Sequence, residues 1–171
     1  MTEVTPERIK EFLGELEKRK IQYVVIAGVG LDGKRGHLTR KHQDLDVLCL
    51  KNDLPKIEQA VNTLGYSGKR YNDLYKLQRA DGSKVDLGLV TIEDSDAVAY
   101  GRIAITRFPN ELFTKPQIGR IGGIRFNIAP NELLKTWGLH SQKELDSEYA
   151  RSLPVDERLV KKIKRVLRKD M

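Results

Sequence analysis

The sequence predicts an α+β fold in which amphipathic helices accompany buried strands. Short continuous apolar runs rich in β-branched residues indicate strands that are covered on both faces. Longer segments repeat apolar residues at helical spacing, and two pairs of extended segments are joined by turn-forming residues. A length of 171 residues allows one domain with a substantial core and a small helical appendage.

The N-terminal third predicts one helix and two buried strands. Thr5 is a capping residue, and Pro6 is tolerated at the first helical position, so a helix begins there. Its apolar residues recur at helical spacing: Ile9, Phe12, Leu13 and Leu16. The runs at 23–27 and 45–50 predict two buried strands. Residues 28–43, which separate them, are rich in glycine and basic residues.

The middle of the chain predicts a helix followed by a hairpin. The helix starts at Asn52 or Asp53 and is stopped by Gly65. Its apolar face comprises Leu54, Ile57, Val61 and Leu64. Residues 71–78 and 85–90 predict two strands, and the turn-forming residues between them predict that the strands pair as a hairpin.

The C-terminal part predicts a second hairpin and two helices. The hairpin covers residues 120–128, with its turn at a pair of glycines, and a helix begins at Pro130. Trp137 in that helix is interpreted as a core residue. A last helix follows Pro154, and its apolar face comprises Leu159, Ile163, Val166 and Leu167. Residues 94–118 carry no clear pattern.

Charge and cysteine content narrow the class of protein. The net charge is +7, and the last segment, 151–171, holds eight Lys or Arg against three Asp or Glu. Such a segment either attracts nucleic acid or anionic substrates or forms a solvated helix face. The lone cysteine, Cys49, lies in an apolar run and is expected to be buried, which fits a cytoplasmic protein. No run approaches the roughly 18 apolar residues of a membrane span, and the N-terminus lacks the pattern of a signal peptide.

Asp44 and Asp46 form the first candidate site. They are two residues apart at the start of a predicted strand, so their side chains point to the same face. Two adjacent carboxylates repel each other without a cation, and their hard oxygens suit Mg²⁺ or Mn²⁺. The alternative is a pair of exposed aspartates at the end of a strand.

Asp86 adds a third carboxylate. It stands alone in an apolar strand, where an unpaired charge is expensive to bury. If this strand lies beside that of Asp44 and Asp46, the three carboxylates converge and can hold metal ions and activate an attacking hydroxyl. The alternative is an ion pair between Asp86 and a nearby Lys or Arg.

The glycine-rich segment predicts phosphate binding. Gly28 and Gly30 follow the first strand, and backbone N–H groups in such a turn can bind phosphate oxygens. Four basic residues downstream can neutralise a triphosphate: Lys34, Arg35, Arg40 and Lys41. The match to G-x-G-x-x-G at 28–33 is interpreted as a false positive, because residues 33–43 hold too little apolar surface for a helix packed on the sheet.

Together these residues resemble the polymerase-β-like nucleotidyltransferase superfamily, and within it the aminoglycoside and lincosamide nucleotidyltransferases. The resemblance is carried by a small-residue pair after the first strand, an Asp shortly after it, and a specific eight-residue run. These are Ala27-Gly28, Asp32, and Thr39-Arg40-Lys41-His42-Gln43-Asp44-Leu45-Asp46. Asp86 corresponds to the family's third acidic position. Ala27 departs from the glycine that the family has there.

The resemblance implies a nucleotidyltransferase fold, with a mixed central sheet and flanking helices over residues 1–130 and a short helical extension over residues 131–171. It implies Mg²⁺-dependent transfer of a nucleoside monophosphate, AMP from ATP, to a hydroxyl of a small molecule. Asp44 and Asp46 would hold the metal, and Asp86 would hold a metal or act as the base. The residues near the triphosphate would be Gly28, Thr39, Arg40 and His42. For His42 the alternative is a hydrogen bond that only orders the loop.

Two other functions stay open. One is a nucleotide-binding module that works with a protein partner, as in a toxin–antitoxin pair, or as a homodimer; the short C-terminal half motivates it. The other is nucleotidyl transfer to an RNA end, motivated by the basic last segment. The low aromatic content, 6%, offers no evident platform for stacking bases, so nucleic acid is not favoured. The sequence identifies neither the acceptor nor the preferred nucleotide.

Overall fold

The fold was analysed in a computed structural model, which describes residues 3–101 and 104–167. The helices are α1 (Pro6–Lys18), α2 (Ala27–Arg35), α3 (Leu54–Thr63), α4 (Glu111–Thr114), α5 (Asn131–Gly138), α6 (Glu144–Ser152) and α7 (Glu157–Lys161). The strands are β1 (Tyr23–Val25), β2 (Leu45–Leu50), β3 (Ser67–Tyr71), β4 (Leu74–Gln78), β5 (Lys84–Glu93), β6 (Asp96–Tyr100), β7 (Ala104–Pro109), β8 (Gln117–Ile121), β9 (Ile124–Ile128) and β10 (Lys164–Leu167).

The strands of the described chain form one mixed sheet, which confirms the predicted α+β fold. Its order is β10-β7-β6-β5-β2-β1-β9-β8, and the hairpin β3–β4 joins it because β4 also pairs with β5. The pairs β2–β5 and β1–β9 are parallel, and the other pairs are antiparallel. The strands β2 and β5, which carry the predicted carboxylates, are therefore neighbours in the middle of the sheet.

The predicted start of α1 and the predicted end of α3 are confirmed, because a capping residue and a glycine determine them. The hydroxyl of Thr5 accepts a hydrogen bond from the backbone N–H of Arg8 at 3.3 Å, and Pro6 opens α1. The chain leaves α3 through Gly65, whose φ of 78° favours glycine. The four predicted apolar residues of α1 are all buried.

One apolar core connects the helices to the sheet. It includes Leu133 and Leu134 of α5 and Ala150 of α6 together with β1, β2 and β5. Because this core continues past residue 130, the C-terminal helices are packed on the N-terminal part. The division at residue 130 stays a prediction. Within the described residues no helix has the length and apolar character needed to cross a membrane.

Both predicted hairpins are present. The turn of β8–β9 uses Gly122 and Gly123, with φ of 56° and 79°. The first hairpin, β4–β5, differs at its start. The strand predicted from Tyr71 begins only at Leu74, because Asn72 turns the chain with φ of 56° and an additional strand, β3, precedes it. The unassigned segment 94–118 contains β6, β7 and α4 and begins β8.

The sequence predicted that residues 33–43 form no helix packed on the sheet. The structure differs at the start of this segment, because α2 occupies 27–35 and is largely buried. The helix packs through Val29 and Leu31, which are both buried, and through the close approach of its glycines. A Cβ atom at Gly30 would lie 3.0 Å from the carbonyl oxygen of Val25, and one at Gly33 would lie 3.1 Å from the ring of Phe126. Glycines thus let the backbone of α2 lie close to β1 and β9.

The predicted last helix is also wrong in its second half. The helix α7 ends at Lys161, and the chain then forms β10, which pairs antiparallel with β7. Val166 and Leu167 are 63% and 62% exposed instead of lining a buried helix face. Pairing gives the otherwise open edge of β7 its backbone hydrogen bonds, and this tertiary gain outweighs the local helical pattern. The part of the predicted helix beyond Leu167 lies outside the described residues.

Candidate functional site

Strand pairing brings the three predicted carboxylates to one place. In the parallel ladder of β2 and β5, Asp46 lies directly opposite Asp86. Asp44 stands two residues before Asp46, so its side chain points to the same face of the sheet. Asp46 and Asp86 both line one cleft.

The electrostatics of the pair Asp44 and Asp46 are those of carboxylates that lack a cation. Burial raises the pKa of Asp46 well above its usual range, and the negative charges of Asp44 and Asp86 raise it further. The pKa of Asp44 is also raised, by burial and then by Asp86. Neither forms an ion pair within the described part of the chain. A divalent cation would relieve this repulsion.

Asp86 differs from the other two because a cation already contacts it. The Nζ of Lys76, which lies opposite Asp86 in the β4–β5 ladder, is 2.8 Å from its Oδ2. The ion-pair alternative left open by the sequence is thus present in this structure. Among the described residues, no three His, Cys, Asp or Glu side chains are arranged to hold one ion. The oxygens of Asp44 and Asp46 are donors of the kind that a divalent cation prefers, whereas Oδ2 of Asp86 is occupied by Lys76.

Three of the four predicted phosphate-binding residues meet at the first turn of α2. A Cβ atom at Gly28 would lie 2.5 Å from Nη2 of Arg40 and 2.8 Å from Cε1 of His42, so only glycine leaves room for both. Ala27, just before it, has a φ of 58°, a conformation that glycine adopts more easily. The N-terminus of a helix offers free backbone N–H groups and a partial positive charge, which suits a phosphate.

The fully buried carboxylate of Asp32 holds the loop that carries Thr39, the fourth predicted residue, together with His42. It accepts hydrogen bonds from the backbone N–H and hydroxyl of Thr39, at 2.9 and 2.7 Å, and from Arg35 at 2.8 Å. The Nε2 of His42 lies 2.7 Å from its Oδ2. Burial alone would raise the pKa of Asp32, but the hydrogen bonds from His42, Thr39 and Arg35 outweigh it and lower the pKa to about 2. The contact between His42 and Asp32 orders the loop, and a role of His42 at the triphosphate stays a prediction.

Asp146 on α6 is a site-neighbouring residue that the sequence did not single out. Its Oδ2 is 2.7 Å from Nη2 of Arg40, and its Oδ1 is 3.8 Å from Nη1 of Arg35. The guanidinium of Arg35 also lies 4.0 Å above the ring of Tyr149. Asp146 is only 1% exposed. In the sequence, however, it lies in a segment rich in charged residues, where a carboxylate is usually exposed to solvent. No local pattern distinguishes it, because its partners are about a hundred residues away.

A cleft of about 250 Å³ opens beside the carboxylates over the β5–β7 part of the sheet. Trp137 of α5 lines it and packs edge-on against Phe108, with ring centroids 6.2 Å apart. Trp137 thus contacts the core, as expected, but also faces the cleft. Arg165 of β10 lines the cleft as well. The sequence placed it in the last helix, whose basic residues were expected either to attract anions or to form a solvated face.

Comparisons with known proteins give one family and several similar folds. The family model of aminoglycoside-2''-adenylyltransferases matches residues 8–122. The lincosamide antibiotic adenylyltransferase LnuA, with lincomycin bound, has a TM-score of 0.72 at 17% identity, covering 90% of this chain and 100% of the other. ANT(2'')-Ia in complex with adenylyl-2''-tobramycin has a TM-score of 0.65 at 17% identity, covering 83% and 84%. No curated protein sequence matches significantly.

Proposed function

The chain belongs to the aminoglycoside-2''-adenylyltransferase family and is a nucleotidyltransferase, and from this premise we propose that it transfers AMP from ATP to a hydroxyl of a small molecule, with Mg²⁺ or Mn²⁺ as cofactor. The predicted relation to antibiotic nucleotidyltransferases of the polymerase-β-like superfamily is confirmed by the family match and by the shared fold. The nucleotide, the metal and the roles of individual residues are the proposed part.

The observation that carries the proposal is the position of Asp46 opposite Asp86 in adjacent parallel strands. Asp44, just before β2, is close enough for its charge to raise the pKa of Asp46. The first turn of α2 follows β1, the strand on the other side of β2, so a phosphate group there would lie beside the carboxylates. Gly28 and Arg40 are proposed to contact the triphosphate. Thr39 and His42 are proposed to act through Asp32, which positions the loop.

In the proposed reaction the acceptor hydroxyl attacks the α-phosphorus of ATP in line, and its oxygen forms the new bond to phosphorus. The bond from the α-phosphorus to the bridging oxygen breaks, and pyrophosphate leaves. Asp44 and Asp46 would hold a divalent cation, which would neutralise charge on the phosphate oxygens. Asp86, once released by Lys76, accepts the hydroxyl proton. Its alternative role is to help hold the metal.

The direct test is a reaction of the purified protein with Mg²⁺, ATP and a panel of hydroxylated acceptors that includes lincomycin and tobramycin. We expect pyrophosphate release that requires metal, ATP and an acceptor together, and a product whose mass equals acceptor plus AMP. A chelator should stop both. Tight nucleotide binding without release for any acceptor would contradict the proposal and favour the partner module.

Asp146→Asn is expected to raise the KM for ATP about tenfold while kcat changes less than threefold, because Asp146 orients Arg40 without reaching the reacting atoms. Steady-state kinetics with saturating acceptor measures both constants. The matched control is Glu144→Gln, an exposed residue at the start of the same helix. A large fall in kcat with an unchanged KM would show that Asp146 does not act through nucleotide binding.

The cellular location is part of the same proposal. We propose that the reaction takes place in the cytoplasm, to which a buried free thiol at Cys49 is suited. A homodimer or a protein partner stays a prediction from the sequence, and so does the role of the basic C-terminal segment.

A further inference from the structure

The cleft beside the carboxylates carries opposite charges at its two ends. Asp46 and Asp86 stand at one end, on the adjacent strands β2 and β5, and Arg165 stands at the other end, on β10. The strands β6 and β7 separate β5 from β10, so the two backbones are about 14 Å apart. A molecule that bridges the two ends would therefore have to carry distinct groups for each.

Arg165 has no partner within the described part of the chain. Its Nε atom is buried without a hydrogen bond, and its guanidinium makes no ion pair there. A guanidinium stays protonated at any ordinary pH, and a buried donor without an acceptor is costly. A negatively charged group of a ligand would supply the missing acceptor in a planar, two-bond geometry.

The walls between these ends suit a flat and largely neutral body. Trp137 contributes an indole ring to the lining, and Thr106, opposite Arg165 in the β7–β10 ladder, adds a hydroxyl. The remaining described lining residues are uncharged: Ile26, Val47, Leu48, Leu74, Gly88, Ala99, Tyr100, Gly101 and Ala104. Apart from Asp46 and Asp86, no described lining residue offers a carboxylate to a positively charged ligand.

The sheet order separates this cleft from the residues proposed to bind phosphate. Gly28, Arg40 and His42 gather at α2, which follows β1 on one side of β2. Arg165 lies on the opposite side, beyond β5, β6 and β7. A triphosphate at α2 would thus leave Arg165 free, and the cleft between Asp86 and Arg165 is the space left for the acceptor.

We propose that the acceptor is a hydroxylated compound that carries an anionic group, such as a carboxylate or phosphate, bound by Arg165, and a planar ring that packs on Trp137. This assignment rests on the proposed function, because it takes the cleft as the acceptor site. A polycationic acceptor would meet only the carboxylates that are assigned to the metal and the proton, and it would be repelled by Arg165. The preferred acceptor is therefore anionic rather than polycationic.

The test uses Trp137 as the reporter, since it is the sole tryptophan of the chain. Its fluorescence is titrated with three ligands that differ at one position: phenyl β-D-glucuronide, phenyl β-D-glucoside and the 6-amino-6-deoxy derivative of the glucoside. We expect the glucuronide to bind roughly 10- to 100-fold more tightly than the glucoside, and the amine to bind most weakly. No detectable binding of the glucuronide, or tighter binding of the amine, would overturn the proposal.

Variants of Arg165 test whether this residue causes the preference for the glucuronide. Arg165→Gln should bind the glucuronide and the glucoside equally, and Arg165→Lys should keep part of the preference. The matched control Arg158→Gln, at a side chain that is 89% exposed, should keep all of it. An unchanged ranking in a folded Arg165→Gln protein would contradict the proposal. Because these titrations need no turnover, a glucuronide preference without pyrophosphate release would leave the anion site standing and refute only the nucleotidyl transfer.

Discussion

Asp46→Asn is expected to lower the rate of nucleotidyl transfer by about 10³-fold and, at neutral pH, to raise the stability of the metal-free protein. The loss of activity follows from the proposed metal site, since an amide oxygen binds a divalent cation far more weakly than a carboxylate. The gain in stability follows from electrostatics, because a neutral amide at this position would no longer repel Asp44 and Asp86.

The direction of the stability change comes from the raised pKa of Asp46. Burial, Asp44 and Asp86 raise this pKa in the folded state, so between the unfolded and folded pKa values the folded protein binds more protons than the unfolded chain. The free energy of unfolding therefore falls as the pH rises through that window. Asp46→Asn escapes this loss, so it should be more stable than the wild type above the window and equal to it in strong acid.

Steady-state pyrophosphate release and thermal unfolding with and without Mg²⁺ measure both effects. Mg²⁺ should raise the unfolding temperature of the wild type but not that of the variant, because a ligand stabilises only the state that binds it. Asp94→Asn is the matched control, since Asp94 is exposed in a turn with φ of 54°, which Asn also tolerates. If Asp46→Asn had wild-type activity, Asp46 would not belong to the catalytic site.

Asp32→Asn is expected to lower the free energy of unfolding by about 3 kcal/mol, because it removes one partner of a buried charge network. An amide has one oxygen that accepts hydrogen bonds and one nitrogen that only donates them. It therefore cannot accept all the hydrogen bonds that Thr39, Arg35 and His42 make to the two carboxylate oxygens. The guanidinium of Arg35 would keep its charge and lose its 2.8 Å contact. Urea denaturation at pH 7 measures the change, with Asp94→Asn again as the control.

The difference in the free energy of unfolding between wild type and Asp32→Asn should also depend on pH, in a direction set by the pKa of Asp32. Asp32 has its pKa lowered from 3.8 to about 2 in the folded protein, so its contribution is complete above the unfolded pKa and is lost as the pH falls through the folded one. The stability difference between wild type and Asp32→Asn should shrink by about 2 kcal/mol between pH 5 and pH 1. A difference that stays constant over this range would mean that the ionised carboxylate is not what stabilises the loop.

Local patterns were sufficient to find the carboxylates and the strands that hold them. Asp44 and Asp46 share a face because side chains two apart in a strand always do, and Asp86 stood out as a lone charge in an apolar run. The helix caps and the glycine turns were also predictable, since their chemistry lies within a few neighbouring residues. The family resemblance added Thr39 and His42 to the residues expected near the triphosphate.

The sequence by itself thus determined which residues are candidates for the chemistry, and the tertiary structure decided how they are partnered. Only the pairing of β2 with β5 placed Asp46 opposite Asp86, and the close approach of glycine backbones allowed Val29 and Leu31 of α2 to pack in the core. Whether Asp146 and Arg165 are solvated or directed at the site depends on contacts with strands and loops far away in the chain, such as the pair of Arg40 with Asp146, 106 residues apart. Such burial and pairing are non-local, so no periodicity or spacing in the sequence can encode them visibly.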